Sequence, residues 1–141
     1  MWYKKFDLTV KVYYEDTDSG GVVYYANYLK FLERARSEAI YTLGFTNSGL
    51  LEKYNILLIV KSCNIEYKKP AYLENDLTVR SFVKSITKTS FFMNQIVTRD
   101  DDIIAEAKVH LVFVNTNGKP VKIPDEIYSK FKPYFCDTIK T

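Results

Sequence analysis

The stretch VYYEDTDSGGVVYYANYLKFLERARSEAI, residues 12–40, decides the reading of this chain. It enters as the end of a strand: Leu8, Val10, Val12 and Tyr14 alternate with Thr9, Lys11 and Tyr13, a period of two. It leaves as a helix. From about Tyr25 to Leu43 the apolar residues Leu29, Leu32, Ala35, Ala39, Ile40 and Leu43 fall on one face, and Gly44 follows as a C′ residue should. Between the two periods stand Asp16, Asp18, Gly20 and Gly21. Composition alone reads such a segment as a solvated turn with Asx-type hydrogen bonds. A calcium loop begins the same way, but its fifth ligand position would be Gly20 and its twelfth Asn27, where a bidentate Glu is needed. A third reading is chemical. Paired glycines let backbone approach a ligand closely, and Val22-Val23 leads into a helix N-terminus whose unpaired N–H groups favour negative charge. A carboxylate just upstream of such a terminus is a nucleophile or base beside an oxyanion site, the pairing that acyl transfer requires.

Downstream, strand-like runs at about 56–67, 77–87, 90–99 and 103–115 follow a short second helix around Gly49 to Tyr54. The short separators make successive strands antiparallel neighbours. Asn117-Gly118 with Pro120 marks a turn, and Pro124-Asp125-Glu126 opens a short helix over Ile127, Phe131 and Tyr134. No repeat or linker interrupts residues 1–141, so one domain is expected. Its class is α+β, one long helix on one face of a curled antiparallel sheet of about five strands. A single helix leaves apolar sheet surface over, and a dimer is the simplest cover for it.

The 141 residues carry a net charge of +3 with scattered Lys and Arg, which excludes a nucleic-acid stripe. No run reaches membrane-spanning length, and MWYKKFDLTV lacks the apolar core of a signal peptide. Cys63 and Cys136 stand far apart without metal-ligand spacing and read as reduced thiols, so a cytoplasmic address is expected. The 12 Tyr and 9 Phe suit large strand surfaces or an interface. No serine elbow, Cys/His pair or zinc motif competes with the acidic loop.

Tyr14, Asp16-Thr17-Asp18, Gly21-Val22-Val23-Tyr24, Asn27-Tyr28 and Glu33-Arg34-Ala35-Arg36, with Pro70-Ala71, Asp76 and Lys88-x-Ser90-Phe91, resemble the signature of the 4-hydroxybenzoyl-CoA thioesterase-like hot-dog family. Within it they look most like the YbgC-type acyl-CoA thioesterases, over nearly the whole chain. The resemblance implies a hot-dog fold, a sheet wrapped around the long helix, in homodimers or homotetramers with active sites at the subunit interface. It implies hydrolysis of short-chain or aromatic acyl-CoA without metal or redox cofactor, and Asp18 as nucleophile or general base. The Tyr25 N–H at the helix start would polarise the carbonyl. Position 25 is often His in YbgC-type members; Tyr here removes an imidazole base and places more weight on Asp18. By the same resemblance Gly21, Val22, Val23, Tyr24 and Tyr28 lie against the substrate, while Lys88, Ser90 and Lys119 hold the nucleotide end. Tyr24 and Tyr28 line an acyl pocket or pack the dimer seam. Action on acyl carrier protein, or acyl-CoA binding without turnover, are the alternative functions.

Several residues carry expectations of their own. Asp16 is the rival carboxylate, facing the same side as Asp18 in an extended chain; it is expected to order the turn by accepting backbone N–H bonds, with a catalytic role as the alternative. Glu33 and Arg36 both project within the apolar stripe and, three residues apart, read as a structural ion pair. His110, the only histidine, is a structural strand residue. Lys84 and Lys122 flank turns as solvated lysines or phosphate contacts. Leu32, Leu57, Leu58 and Phe92 are the residues on which acyl-pocket depth turns.

Overall fold

Five alternating runs become five antiparallel strands: β1 (Phe6–Lys11), β2 (Leu57–Tyr67), β3 (Asp76–Ile86), β4 (Ser90–Arg99) and β5 (Asp102–Val114). The structure, a computed structural model, describes residues 5–135; Cys136 lies outside them. Strand order is β1-β3-β4-β5-β2, and every pairing is antiparallel. The hairpins β3–β4 and β4–β5 are the neighbours that short separators demand. The β2–β3 connection corrects that expectation, because β2 pairs with β5 and lies on the far edge from β1. Residues 68–75 instead cross the end of the sheet, where the Lys68 and Lys69 amides both donate to the Ile104 carbonyl and the Val23 amide to that of Ala71. A linker this well tied to other strands needs no hairpin register.

The helix α1 (Tyr28–Thr42) lies on one face of the sheet and buries Tyr28, Phe31, Leu32, Ala35, Ala39 and Ile40. Removing Phe31, Leu32 and Ile40 from water contributes about 2 kcal/mol each. The chain leaves α1 by the expected glycine: Gly44 has φ +92°, its N–H donates to Tyr41 and that of Phe45 to Ile40. Two further helices are α2 (Asn47–Tyr54), capped by the Thr46 hydroxyl accepting from the Gly49 N–H at 2.9 Å, and α3 (Asp125–Phe131), which buries Ile127 and Phe131. Gly118, at φ +79°, closes the turn that Asn117-Gly118 announced. Curled around a central helix, the sheet makes the expected hot-dog α+β fold.

Two expectations for α1 need correction. Leu29 is 49% exposed, because the helix meets the sheet on a narrower arc than its apolar stripe and Leu29 lies beyond it. Glu33 and Arg36 form no ion pair among the described residues. Glu33 is exposed, while the half-buried Arg36 donates to the Gln95 side-chain oxygen at 3.0 Å. Burial lowers the Arg36 pKa, and the nearby Cys63 and Glu33 oppose that shift. Gln95 is fully buried and donates in turn to the Leu32 carbonyl and the Ser81 hydroxyl, both at 3.0 Å. An amide thus does the work expected of a carboxylate.

Candidate active site

The acidic loop forms in two tight steps. Tyr14–Asp16 is a single 3₁₀ turn, and Thr17 then bridges to Val23. Between them Asp18 and Val22 close a hairpin: the Asp18 N–H donates to the Val22 carbonyl at 2.9 Å and the Gly21 N–H to the Asp18 carbonyl at 3.0 Å. Gly21 has φ +79°, which explains one glycine. A Cβ on Gly20 would approach the Asp18 carboxylate to 3.3 Å, so Gly20 leaves that side chain room. The Asp18 side chain is exposed, and its Oδ1 accepts the Gly20 N–H at 2.9 Å. The Asx-type bond of the solvated turn is therefore present, and the carboxylate still faces water. Asp16 has the opposite fate. It is 3% exposed; its Oδ2 accepts the Tyr13 N–H at 2.9 Å and its Oδ1 the Asn27 side-chain N–H at 2.6 Å.

The helix begins later than its periodicity suggests. Tyr25–Asn27 is a 3₁₀ turn that feeds α1 at Tyr28, because the preceding amides are already committed. Val23 donates to Ala71 and Tyr24 to the Asp16 carbonyl at 2.9 Å. The next amide, that of Tyr25, has no acceptor among the described residues. It is an orphan donor at the positive end of a helix.

Around it stands a group of tyrosines. Tyr24 and Tyr25 are exposed, their ring centroids 4.9 Å apart, and the hydrogen bond with Tyr25 raises the Tyr24 phenol pKa. Tyr28 is buried against Phe31 and Tyr67, and its phenol is raised chiefly by that burial. Tyr67, at the end of β2, donates from its hydroxyl to the Tyr25 carbonyl at 3.1 Å and presents its ring edge-on to Tyr25. Tyr25, Tyr28 and Tyr67, with Val23, Lys68, Lys69 and Pro70, line a cleft of about 290 Å³. Sequence reasoning passed over Tyr67 and the side chain of Asn27, because nothing in a strand-end tyrosine or a helix-start asparagine signals a partner so far along the chain.

The residues expected at the nucleotide end sit elsewhere. Lys88 is exposed in the β3–β4 turn, beside a cleft of about 430 Å³ that also takes in Ile86, Lys122, Ile123 and Tyr128. Lys119 is exposed in the turn after β5, its N–H held by the Asn115 side chain. Ser90 is 5% exposed, with its hydroxyl 2.7 Å from that of Thr87, so it closes the turn from within and is not offered to solvent. The acidic loop lies at the Asp76 end of β3, and Lys88 beyond its Ile86 end. Eleven strand residues separate those ends, about 33 Å. Within one chain Asp18, Gly21 and Val22 share the hairpin, Val23, Tyr25 and Tyr28 line the tyrosine cleft with Tyr24 against Tyr25, and Lys88, Ser90 and Lys119 lie apart from both.

The remaining titratable candidates have structural surroundings. His110 stacks on Phe92 with centroids 3.9 Å apart, and its Nε2 is buried without a partner among the described residues. Burial first, and then Lys61, lower its pKa. Cys63 is half-buried, and burial raises its thiol. Among the described residues no cluster of three or more His, Cys, Asp or Glu could hold a metal ion, and no helix is long and apolar enough to cross a membrane.

A curled five-stranded antiparallel sheet around one long helix defines a hot-dog protein. Residues 12–131 match the family model described as Thioesterase-like superfamily, and the chain belongs to that superfamily. Among its relatives, the acyl-CoA thioesterase YbgC of Haemophilus influenzae is 39% identical over 127 residues, covering 89% of this chain and 93% of that protein. The acyl-CoA thioester hydrolase YbgC of Escherichia coli is 37% identical over 129 residues, covering 90% and 96%. A crystal structure of a probable thioesterase from Bartonella henselae is 34% identical and superposes with a TM-score of 0.83, over 86% of this chain and all of that one. The expected YbgC-type hot-dog thioesterase is thereby met, and with it an enzyme, a thioester hydrolase.

Proposed function

We propose that this chain hydrolyses short-chain or aromatic acyl-CoA to the free acid and CoA, as one hot-dog domain over residues 1–141, with Asp18 as its catalytic carboxylate. The observation that carries the reading is an exposed Asp18 side chain in a short hairpin that runs directly into the orphan Tyr25 amide. As nucleophile, Asp18 adds an oxygen to the thioester carbonyl; the C–S bond breaks, the thiolate leaves and takes a proton from water, and a second water hydrolyses the mixed anhydride. As general base, Asp18 takes a proton from the attacking water and returns it to the departing sulfur. Either route builds negative charge on the carbonyl oxygen. The Tyr25 N–H and the helix end would hold that charge, and one such donor is worth about 10²–10³ in kcat. Val22, Val23, Tyr24 and Tyr28 would bound the acyl group, with Gly21 shaping the hairpin that carries them.

The working unit in this reading is a homodimer or a homotetramer in the cytosol. The edge strand β2 has a neighbour on one side only and exposes Leu57, Ile59, Val60 and Tyr67. An apolar edge of that length invites pairing with a second copy. A second copy also supplies what one chain lacks, bringing Lys88 and Lys119 to the other's acidic loop.

The test is release of free CoA thiol by wild type and Asp18→Asn, on acyl-CoAs from acetyl to palmitoyl plus benzoyl and 4-hydroxybenzoyl. Turnover that drops by about 10²-fold or more in the variant is expected. A variant retaining more than about a third of wild-type kcat refutes the role of Asp18. No turnover by wild type on any of them would refute the acyl-CoA reading, in favour of a carrier-protein substrate or binding without turnover.

A further inference from the structure

The thioesterase reading needs two groups on separate pieces of backbone to meet one carbonyl, and something must hold those pieces in register. Asp18 sits in a hairpin, whereas the Tyr25 amide belongs to the turn that starts the helix. Resting on that reading, we propose that Asp16 and Asn27 form a positioning pair that sets the Asp18 carboxylate and the Tyr25 N–H at the separation the chemical step requires. Asp16 lies two residues before Asp18, and Asn27 two residues after Tyr25. The bond from the Asn27 side chain to Asp16 Oδ1, at 2.6 Å, therefore ties the piece of backbone that carries Asp18 to the piece that carries the Tyr25 amide. Two more bonds converge on the same residue. Its Oδ2 fixes the Tyr13 amide and its carbonyl fixes that of Tyr24, each at 2.9 Å. The Asn27 N–H closes the figure on the Tyr24 carbonyl at 2.8 Å.

This is a costly way to fill a core position. A carboxylate 3% exposed and an amide 7% exposed both give up water, and an apolar pair would stabilise the fold without that loss. What an apolar pair lacks is direction. Hydrogen bonds fix both distance and angle, and they fix them here at residues 13, 24 and 27, on either side of both reacting groups. A displacement of about 1 Å between a nucleophile and its oxyanion donor costs on the order of 10²-fold in rate.

The experiment compares Asp16→Asn, Asn27→Asp and the two together. Asp16→Asn keeps an acceptor for Tyr13 but turns an N–H toward the Asn27 N–H, donor against donor. Asn27→Asp sets carboxylate against carboxylate. The exchanged pair restores one donor and one acceptor with the direction reversed. Each single variant is expected to lose about 10²-fold in kcat while KM stays within roughly threefold, and the exchange to recover to within about tenfold of wild type. Amide hydrogen exchange at Tyr24 reads the same device without any substrate: it quickens in the singles and slows again in the exchange. The kcat is taken on the folded fraction, and Tyr24 exchange is read against the amides of the β4–β5 ladder, so a loss of global stability, which quickens both, is set apart from a local one. Should Asp16→Asn fail to fold, Asn27→Ala removes the donor alone and carries the same expectation as a single. Single variants with wild-type kcat, or an exchange no better than the worse single, overturn the proposal. If wild type hydrolyses no thioester, the thioesterase reading falls by itself. The Tyr24 amide then decides: unchanged protection in the singles overturns the pair, and the loss-and-recovery pattern supports it.

Discussion

Replacing Gln95 with methionine removes three hydrogen bonds and almost no volume, which makes it a clean probe of the polar network under α1. The side-chain oxygen of Gln95 is the acceptor for Arg36, and its amide donates to the Leu32 carbonyl and the Ser81 hydroxyl. Losing a hydrogen bond to a charged group costs about 1.5–3 kcal/mol, and stranding the fully buried Ser81 hydroxyl adds about 1 kcal/mol. The Leu32 carbonyl keeps its helical bond and contributes little. Relief from burying the Gln95 amide offsets roughly 1 kcal/mol. The net expectation for Gln95→Met is about 2 kcal/mol of lost stability, roughly 8 °C in Tm for a chain of this size. Adding Arg36→Met removes the stranded charge as well, so the double variant should lie within about 1 kcal/mol of wild type. The assay is urea unfolding followed by far-UV circular dichroism, at one fixed chain concentration because association contributes to apparent stability. With Arg36→Met alone costing about 1 kcal/mol for the stranded Gln95 side-chain oxygen, the coupling between the two sites is about 2 kcal/mol. Gln95→Met costing under about 1 kcal/mol, or a double variant equal to the sum of its singles, would refute the network as the tie between helix and sheet.

Two further outcomes follow from single residues. Burial, and then Lys61, hold the His110 pKa below 6.5 in the folded chain, so the unfolded chain takes up that proton first as pH falls. Stability should therefore decline from the unfolded pKa down through the lower folded one, and His110→Gln should flatten the decline between pH 7.5 and 5; parallel urea midpoints for the two proteins would count against it. At the open edge of the sheet, Ile59→Lys places a charge where a second copy would pair, since Ile59 is 45% exposed on β2. Sedimentation should then give a single-chain mass with weakened thiol release, and an unchanged mass would remove β2 as the interface.

What local pattern encodes was readable, and what distant partners decide was not. The change from period two to period 3.6 around Asp18 marked the strand, the loop and the helix, because each period is a property of consecutive residues. Gly44 and Asn117-Gly118 marked the ends they close for the same reason: positive φ is a local demand. The place of β2 beside β5 is of another kind. Nothing within 56–67 distinguishes an edge that pairs with β5 from one that pairs with β3, and the choice rests on the ties of residues 68–75 across the sheet end. Leu29 and Arg36 fail in the same manner. Periodicity gives the direction of a helix face but not the width of the surface it meets, so Leu29 is left in water and Arg36 is drawn to Gln95, 59 residues away in sequence.

The two aspartates of the loop make the limit sharper. Asp16 and Asp18 are the same residue type at the same parity, and parity does not separate them. Their fates part because Asn27, eleven residues on, has a side-chain donor to give, and only one carboxylate can accept it. The one that accepts is buried and its oxygens are occupied by Tyr13 and Asn27. The one that does not remains exposed, with a single backbone N–H from Gly20 on one oxygen. A nucleophile or base must reach carbon or hydrogen with a lone pair, and a buried carboxylate with an N–H on each oxygen is not presented to a substrate. Burial is in keeping with the turn-ordering part expected of Asp16: it gives the loop its shape, and in the proposed mechanism that shape is what leaves Asp18 free to react.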